Sequence, residues 1–254
     1  ECWFWLASCE WMGIGSAEKL LGYFKSAKNI YYGSNSQYEK IKGLNKKVLG
    51  RLEEKRTSED EIKRQIERME KNDIKFVSRI DDGFPSKLGR LPDAPLGLFY
   101  SGKLPDEKTP VLAIVGAREA SGYGLEAAAY FSRKLAQAGV GIISGLARGI
   151  DSEAHKGALK GKGETWGVLG SGINICYPRE NRPLFEQMKR QGGVLSEYGL
   201  DAKPEPWHFP MRNRIISGLA DAVVIVEARK KSGSLITADF ALDQGKTVYA
   251  VPGR

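Results

Sequence analysis

The sequence predicts an α/β protein, a doubly wound and mainly parallel sheet preceded by a small all-α segment. Three observations carry this prediction. From residue 111 onward, short apolar runs alternate with helical patterns. Those runs are continuous rather than alternating, as expected for parallel strands covered on both faces. Residues 1–75 carry helical patterns and no comparable run.

Taken in order, the helical segment contains a faint internal repeat. "MGIGSAEKLLGYF" from Met12 resembles "IKGLNKKVLGRL" from Ile41, each with an apolar residue, a glycine turn and a helical pattern. Two readings fit. The pair resembles helix-hairpin-helix (SAM-like) modules, whose turn amides can meet a DNA phosphate, or the glycines merely turn the chain within a helical bundle. Thr57–Asp73 then reads as a helix with an acidic first turn and later basic residues, capped by Thr57 or Ser58. Residues 76–110 hold one short strand pattern among prolines and read as a connector packed along the next unit. In 111–254 the predicted strands are 111–117, 140–144, 165–171, 192–198, 221–228 and 246–251. Ser121 caps a first helix ending at Gly139, with its small and apolar face at residues 125, 128, 129, 132, 135 and 136.

Bulk properties narrow the function classes. At 254 residues with 41% hydrophobic content, the chain can bury a large core. No apolar run is long enough for a membrane span, and the acidic start of "ECWFWLASCEW" is unlike a signal peptide. The missing initiator Met predicts that residues before Glu1 were trimmed or are absent. Cys2, Cys9 and Cys176 form an odd set without a CxxC pair, which argues against disulfides or a zinc site and suits a reducing cytoplasm. They read as small buried hydrophobes. Net charge is +8, with 15 basic against 12 acidic residues in 1–75, 5 against 5 in 76–110, and 19 against 14 in 111–254. This spread-out excess leans toward a polyanionic partner.

In a doubly wound sheet, ligands bind beyond the carboxyl ends of the strands. The loops expected there are "GAREASGYG" (116–124), "GLARGIDSEAH" (145–155), "GSGINICYPREN" (170–181), "EPWHFPMRNRIISG" (205–218) and "EARKKSGSLITA" (227–238). Glycines let amides approach a phosphate, helix N-termini add partial positive charge, and arginines supply forked donors. Arg118, Arg148, Arg212, Arg214 and the Ser232–Ser234 turn are therefore expected to converge on one anion crevice. For any single loop, tight βα turns explain the glycines equally well. The fourth loop interleaves Trp207, His208 and Phe209 with Arg212 and Arg214, close to Lys203. It is either a stacking and phosphate-pairing surface for single-stranded nucleic acid or an aromatic plug on the sheet.

Other chemistries fit poorly. "GAREASG" is not GxGxxG, "GSGINI" lacks its last glycine, and no GxxxxGK[ST] loop occurs, so a nucleotide cofactor is not expected. Asp151, Glu153 and His155 crowd one stretch, but Asp151 and His155 share a helix face from which Glu153 points away. Asp151 is expected to cap that helix or orient Arg148, and His155 to pack or line the groove.

"GLARGIDSEAHKGAL", "YPREN", "FPMRNRIISGLADAVVIVEA", "SGSLITADFALDQGKTVYAVPG" and "VGAR" together resemble the DNA-processing protein A family (DprA, also called Smf). The resemblance runs from about Asp82 to the C-terminus and is looser in the N-terminal repeat. It implies an extended Rossmann-like core and a cytoplasmic, non-catalytic protein. Such a protein protects single-stranded DNA during natural transformation, loads RecA recombinase onto it, and forms a homodimer through that core. Carried over, the family's pattern implies DNA contacts at Gly116, Ala117 and Arg118, with Gly145, Arg148 and Gly149 lining the neighbouring crevice. Lys203, Phe209, Arg212, Asn213 and Arg214 would supply charge and stacking, and Ser232, Gly233 and Ser234 would complete the anion site. Two departures stand out. Ala117 replaces the Ser or Thr frequent in the family, which implies weaker binding. Members also usually continue past "VPGR", so the end here is truncated or atypical. The rival from another class is a nucleotide-processing enzyme of the phosphoribohydrolase-like group, whose PGGxGTxxE loop is absent, or a nucleotide sensor using the same crevice.

Overall fold

The computed structural model describes residues 1–54, 57–230 and 232–253. Six helices come first: α1 (Cys2–Ser8), α2 (Ile14–Phe24), α3 (Ala27–Tyr31), α4 (Asn35–Tyr38), α5 (Lys46–Glu54) and α6 (Glu59–Lys71). The two repeat halves become α2, whose N-cap is Gly13, and α5, which follows the turn at Gly43. Ser58, not Thr57, caps α6 by accepting from the Glu61 amide.

Residues 76–110 behave differently from a connector. They complete β1 (Lys75–Ser78), pass through α7 (Ser86–Gly89) and form β2 (Gly97–Gly102). Both strands are antiparallel members of the main sheet, with β2 pairing alongside β6. Pro85, Pro92 and Pro95 lie between the two strands and Pro105 and Pro110 after β2, where no ladder N–H is required.

The alternating part follows as β3 (Val111–Val115), α8 (Gly122–Gln137), β4 (Gly141–Ser144), α9 (Ile150–Lys160), β5 (Thr165–Val168), α10 (Arg182–Arg190), β6 (Gly192–Ser196), α11 (His208–Leu219), β7 (Ala222–Ile225), α12 (Gly233–Asp243) and β8 (Thr247–Ala250). The eight strands run in the order β1-β2-β6-β5-β4-β3-β7-β8. Every pair from β6 to β8 is parallel. Neighbouring residues of one strand enter separate cores, Ala113 and Ile143 on one face and Ile114 and Ile142 on the other. Two covered faces explain the continuous apolar runs. Ser121 caps α8 as expected, and the buried stripe is Gly124, Ala128, Ser132 and Ala136. Cys9 and Cys176 are buried, and Cys2 is half-buried.

The N-terminal helices share an interior with the sheet. Phe4 packs edge-on against Phe76 and Phe99, both at 5.5 Å between ring centres. Arg68 pairs with Asp201, and Arg79 with Glu18. Among the described residues no helix is long and apolar enough to cross a membrane.

Candidate nucleic-acid interface

Strand order reverses beside β3, with β4 on one side and β7 on the other. An open crevice of about 660 Å³ lies at the carboxyl ends of these strands. Its walls come from all five of the predicted loops. The first supplies Gly116, Ala117 and Arg118, the second Ala147, and the third Tyr177. The start of α11 supplies Phe209, Arg212 and Asn213, and the fifth loop Arg229 and Ser232–Ser234.

Arg212 forms the floor. It is only 4% exposed, yet its guanidinium donates to the carbonyls of Gly145, at 2.9 Å, and Val168. Burial holds it down to about 10, so it remains a cation at neutral pH. Asp151 provides its countercharge from the first turn of α9. Burial pushes that carboxyl up, opposed by the Arg212 charge and by the Ala147 and Gly145 amides. A methyl on Gly145 would lie 2.6 Å from Arg212 Nη2 and 2.8 Å from Asp151 Oδ2, so the pair requires glycine there. Asp151 therefore neither caps α9 nor orients Arg148. The N-cap is Gly149, held at φ +72° with the Ala117 carbonyl where a Cβ would sit.

Phe209 connects the cations. Arg118 and Arg212 lie 5.7 and 6.0 Å from its ring centre, and Tyr177 packs at 5.4 Å. One edge of the ring presses on Gly170, where a methyl would come within 2.7 Å. The ring is thus both part plug and part open face. Tyr177 beside it is 47% exposed, and Trp207, packed on His208, is 54% exposed.

Three predicted residues lie elsewhere. Arg214 is 1% exposed and pairs with Glu197 and Asp93 on the far side of α11. Arg148 is exposed and pairs with Glu180 outside the crevice. Lys203 borders a separate depression with Glu10, Arg64 and Arg68. Gly145 and Gly149 support the wall rather than lining it. The first loop also has fewer amides to offer than expected, because Ala117 N–H donates to the Glu227 carbonyl at 2.7 Å. Sequence reasoning missed Tyr177 and Arg229 as wall residues, although both stood in quoted loops. Asn181 of "YPREN" ties the third loop to the second through the Leu146 carbonyl and the Ser152 hydroxyl, each at 2.9 Å.

Neither histidine reaches the crevice. His208 stacks on Tyr198 at 3.8 Å between ring centres. His155 is fully buried, with Nδ1 2.7 Å from Thr165 Oγ1. That hydroxyl spends its proton on the Ile142 carbonyl, so Nδ1 must be the donor, and buried Nε2 is left without a partner among the described residues. Burial, with Arg212 adding to it, pushes the imidazole down to about 3. The unfolded chain titrates near 6.5, so it binds the extra proton first. The stability His155 provides is present above pH 6.5 and is lost as pH falls toward 3. Between pH 7 and 5.5 this amounts to roughly 1 kcal/mol. Urea unfolding at both pH values should show that slope in the wild type and a flatter one in His155→Leu. Equal slopes would mean that His155 does not carry it.

The model of the DNA recombination-mediator protein A family matches residues 75–254. The chain belongs to this family. Among DprA relatives, protein Smf of Synechocystis is 35% identical over 255 residues, covering 98% of this chain and 64% of that protein. DNA processing protein DprA of Bacillus subtilis is 44% identical over 171 residues, covering 67% and 58%. The chain thus spans about three-fifths of these curated relatives. The X-ray structure of DprA from Streptococcus pneumoniae superposes with a TM-score of 0.85 at 32% identity, covering 100% of this chain and 87% of that one. DNA processing protein A from Helicobacter pylori, solved for its single-stranded DNA binding mode, gives 0.64 at 30% identity, covering 71% and 81%.

Proposed function

We propose that this chain binds single-stranded DNA without sequence preference in the crevice at the carboxyl ends of β3, β4, β5 and β7. The observation that carries this reading is the Phe209 ring, flanked by Arg118, Arg212 and Tyr177. Bases stack on open aromatic faces while fixed cations pair with the phosphates between them. Arg118 is exposed at the rim and suited to a phosphate, while buried Arg212 sets the potential of the floor. The first turn of α12, with Ser232 and Ser234, adds a helix N-terminus. Family membership and the Helicobacter pylori relative support the same ligand. We further propose a wider role, in which the bound strand is protected and passed to RecA recombinase by a cytoplasmic homodimer during DNA uptake, with no turnover of its own.

Labelled oligo-dT at two salt concentrations tests the crevice. Wild-type affinity should fall steeply with salt. Arg118→Ala should bind about tenfold or more weakly, with the slope reduced by roughly 0.7 for one lost phosphate contact. A wild type that does not bind, or a variant that binds equally well at both salts, would overturn the proposal.

A further inference from the structure

In many doubly wound folds, the phosphates of a free nucleotide sit on the N-terminus of the helix that follows the switch-point strand. Here that helix is α8, and its N-terminus already holds an anion, the carboxylate of Glu227 from the end of β7. Ser121 donates to this carboxylate from its backbone N–H, at 3.1 Å to Oε2, and from its hydroxyl at 2.9 Å. The same hydroxyl accepts from the Gly124 amide at 3.1 Å. A methyl on Gly124 would lie 2.2 Å from Glu227 Oε2, so the carboxylate lies directly against the first turn of α8. Glu227 reaches this place through φ +106°, a backbone region that side-chain-bearing residues rarely adopt. Its carbonyl meanwhile accepts from Ala117 N–H, so one residue closes the seam between β3 and β7 twice.

We propose that Glu227 is a specificity residue, an internal anion that keeps free nucleotide phosphates off the α8 N-terminus. This rests on the reading of the neighbouring crevice as the single-stranded DNA site. With the switch point filled, a phosphate chain is accommodated along Arg118, Arg212 and α12 rather than at the position a free mono- or dinucleotide would take. A strand with many phosphates tolerates the loss of one anion position, whereas a free nucleotide depends on it. The carboxylate also repels any phosphate approaching that turn and compensates its partial positive charge.

Equilibrium dialysis of labelled inorganic pyrophosphate tests this, with oligo-dT binding measured in parallel. Glu227→Gly removes the anion and relieves the positive φ. Glu227→Asn removes the charge, shortens the side chain and tolerates that backbone better than most residues, which guards against a folding failure of the first variant. Each folded variant should bind pyrophosphate about tenfold or more tightly than the wild type, as expected when a charged hydrogen-bonding site is vacated. Glu227→Gln, which keeps the volume and an acceptor for Ser121 but loses the charge, should fall between the wild type and Glu227→Gly. Pyrophosphate binding in Glu227→Gly and Glu227→Asn no tighter than in the wild type would overturn the inference, as would tight binding by the wild type itself. Failure of the wild type to bind oligo-dT would instead overturn the crevice reading, so the two failures are distinguishable.

Discussion

Replacing Arg214 by leucine is expected to cost about 3–5 kcal/mol of folding stability while leaving the oligo-dT affinity of the folded protein essentially unchanged. The guanidinium is 1% exposed and faces Glu197, itself 11% exposed, with Asp93 at 3.4 Å. Removing it leaves the Glu197 carboxylate buried without its countercharge. Burial already pushes that carboxyl up against the pull of Arg214, so in the variant it should take up a proton readily. The double variant Arg214→Leu with Glu197→Leu should recover most of the loss, because the uncompensated charge is then gone. Urea unfolding of the three proteins measures this. A stable Arg214→Leu that no longer binds oligo-dT would place Arg214 in the interface after all.

The second large effect is expected at Phe209. Phe209→Leu keeps an apolar side chain over Gly170 but removes the ring face shared with Arg118, Arg212 and Tyr177. Losing one stacked base costs about 1–3 kcal/mol, or roughly 5- to 150-fold in affinity. No charge changes, so the salt slope should stay at the wild-type value, in contrast to Arg118→Ala. Fluorescence anisotropy with labelled oligo-dT over a salt series separates the two signatures. Unchanged affinity in Phe209→Leu would make the ring a plug for the sheet end and nothing more.

These two residues also show how far the sequence could be read. The inner parallel strands were legible because burial on both faces writes an unbroken apolar run, as in "VLAIV" and "AVVI", whereas the edge strand β8 is mostly exposed. Of β1 and β2, only one short strand pattern was legible, and its place in the sheet was not. They are antiparallel, short and separated by prolines, so neither composition nor periodicity linked them to the same sheet. Within the site, Arg118, Phe209, Arg212, Asn213 and Ser232–Ser234 do come together. Arg214 does not, because successive helical residues turn by about 100°, and two positions turn by about 200°. Arg212 therefore faces the crevice and Arg214 the opposite side of α11. Glu227 left no mark in the pattern, since its role depends on an unusual φ and on the lack of a side chain at Gly124, where its carboxylate lies.

The aromatic contact of Phe4 with Phe76 and Phe99 bears on what counts as a unit in this chain. Residues of α1, α2 and α6 belong to the same apolar interior as Phe99, Val194 and Leu146 of the α/β part. The change from helices to sheet is therefore a change of architecture and not a seam. Selection acting on the helical segment also acts on the foundations of the sheet. Exchanging one part alone would leave the side chains they hold in common without their partners.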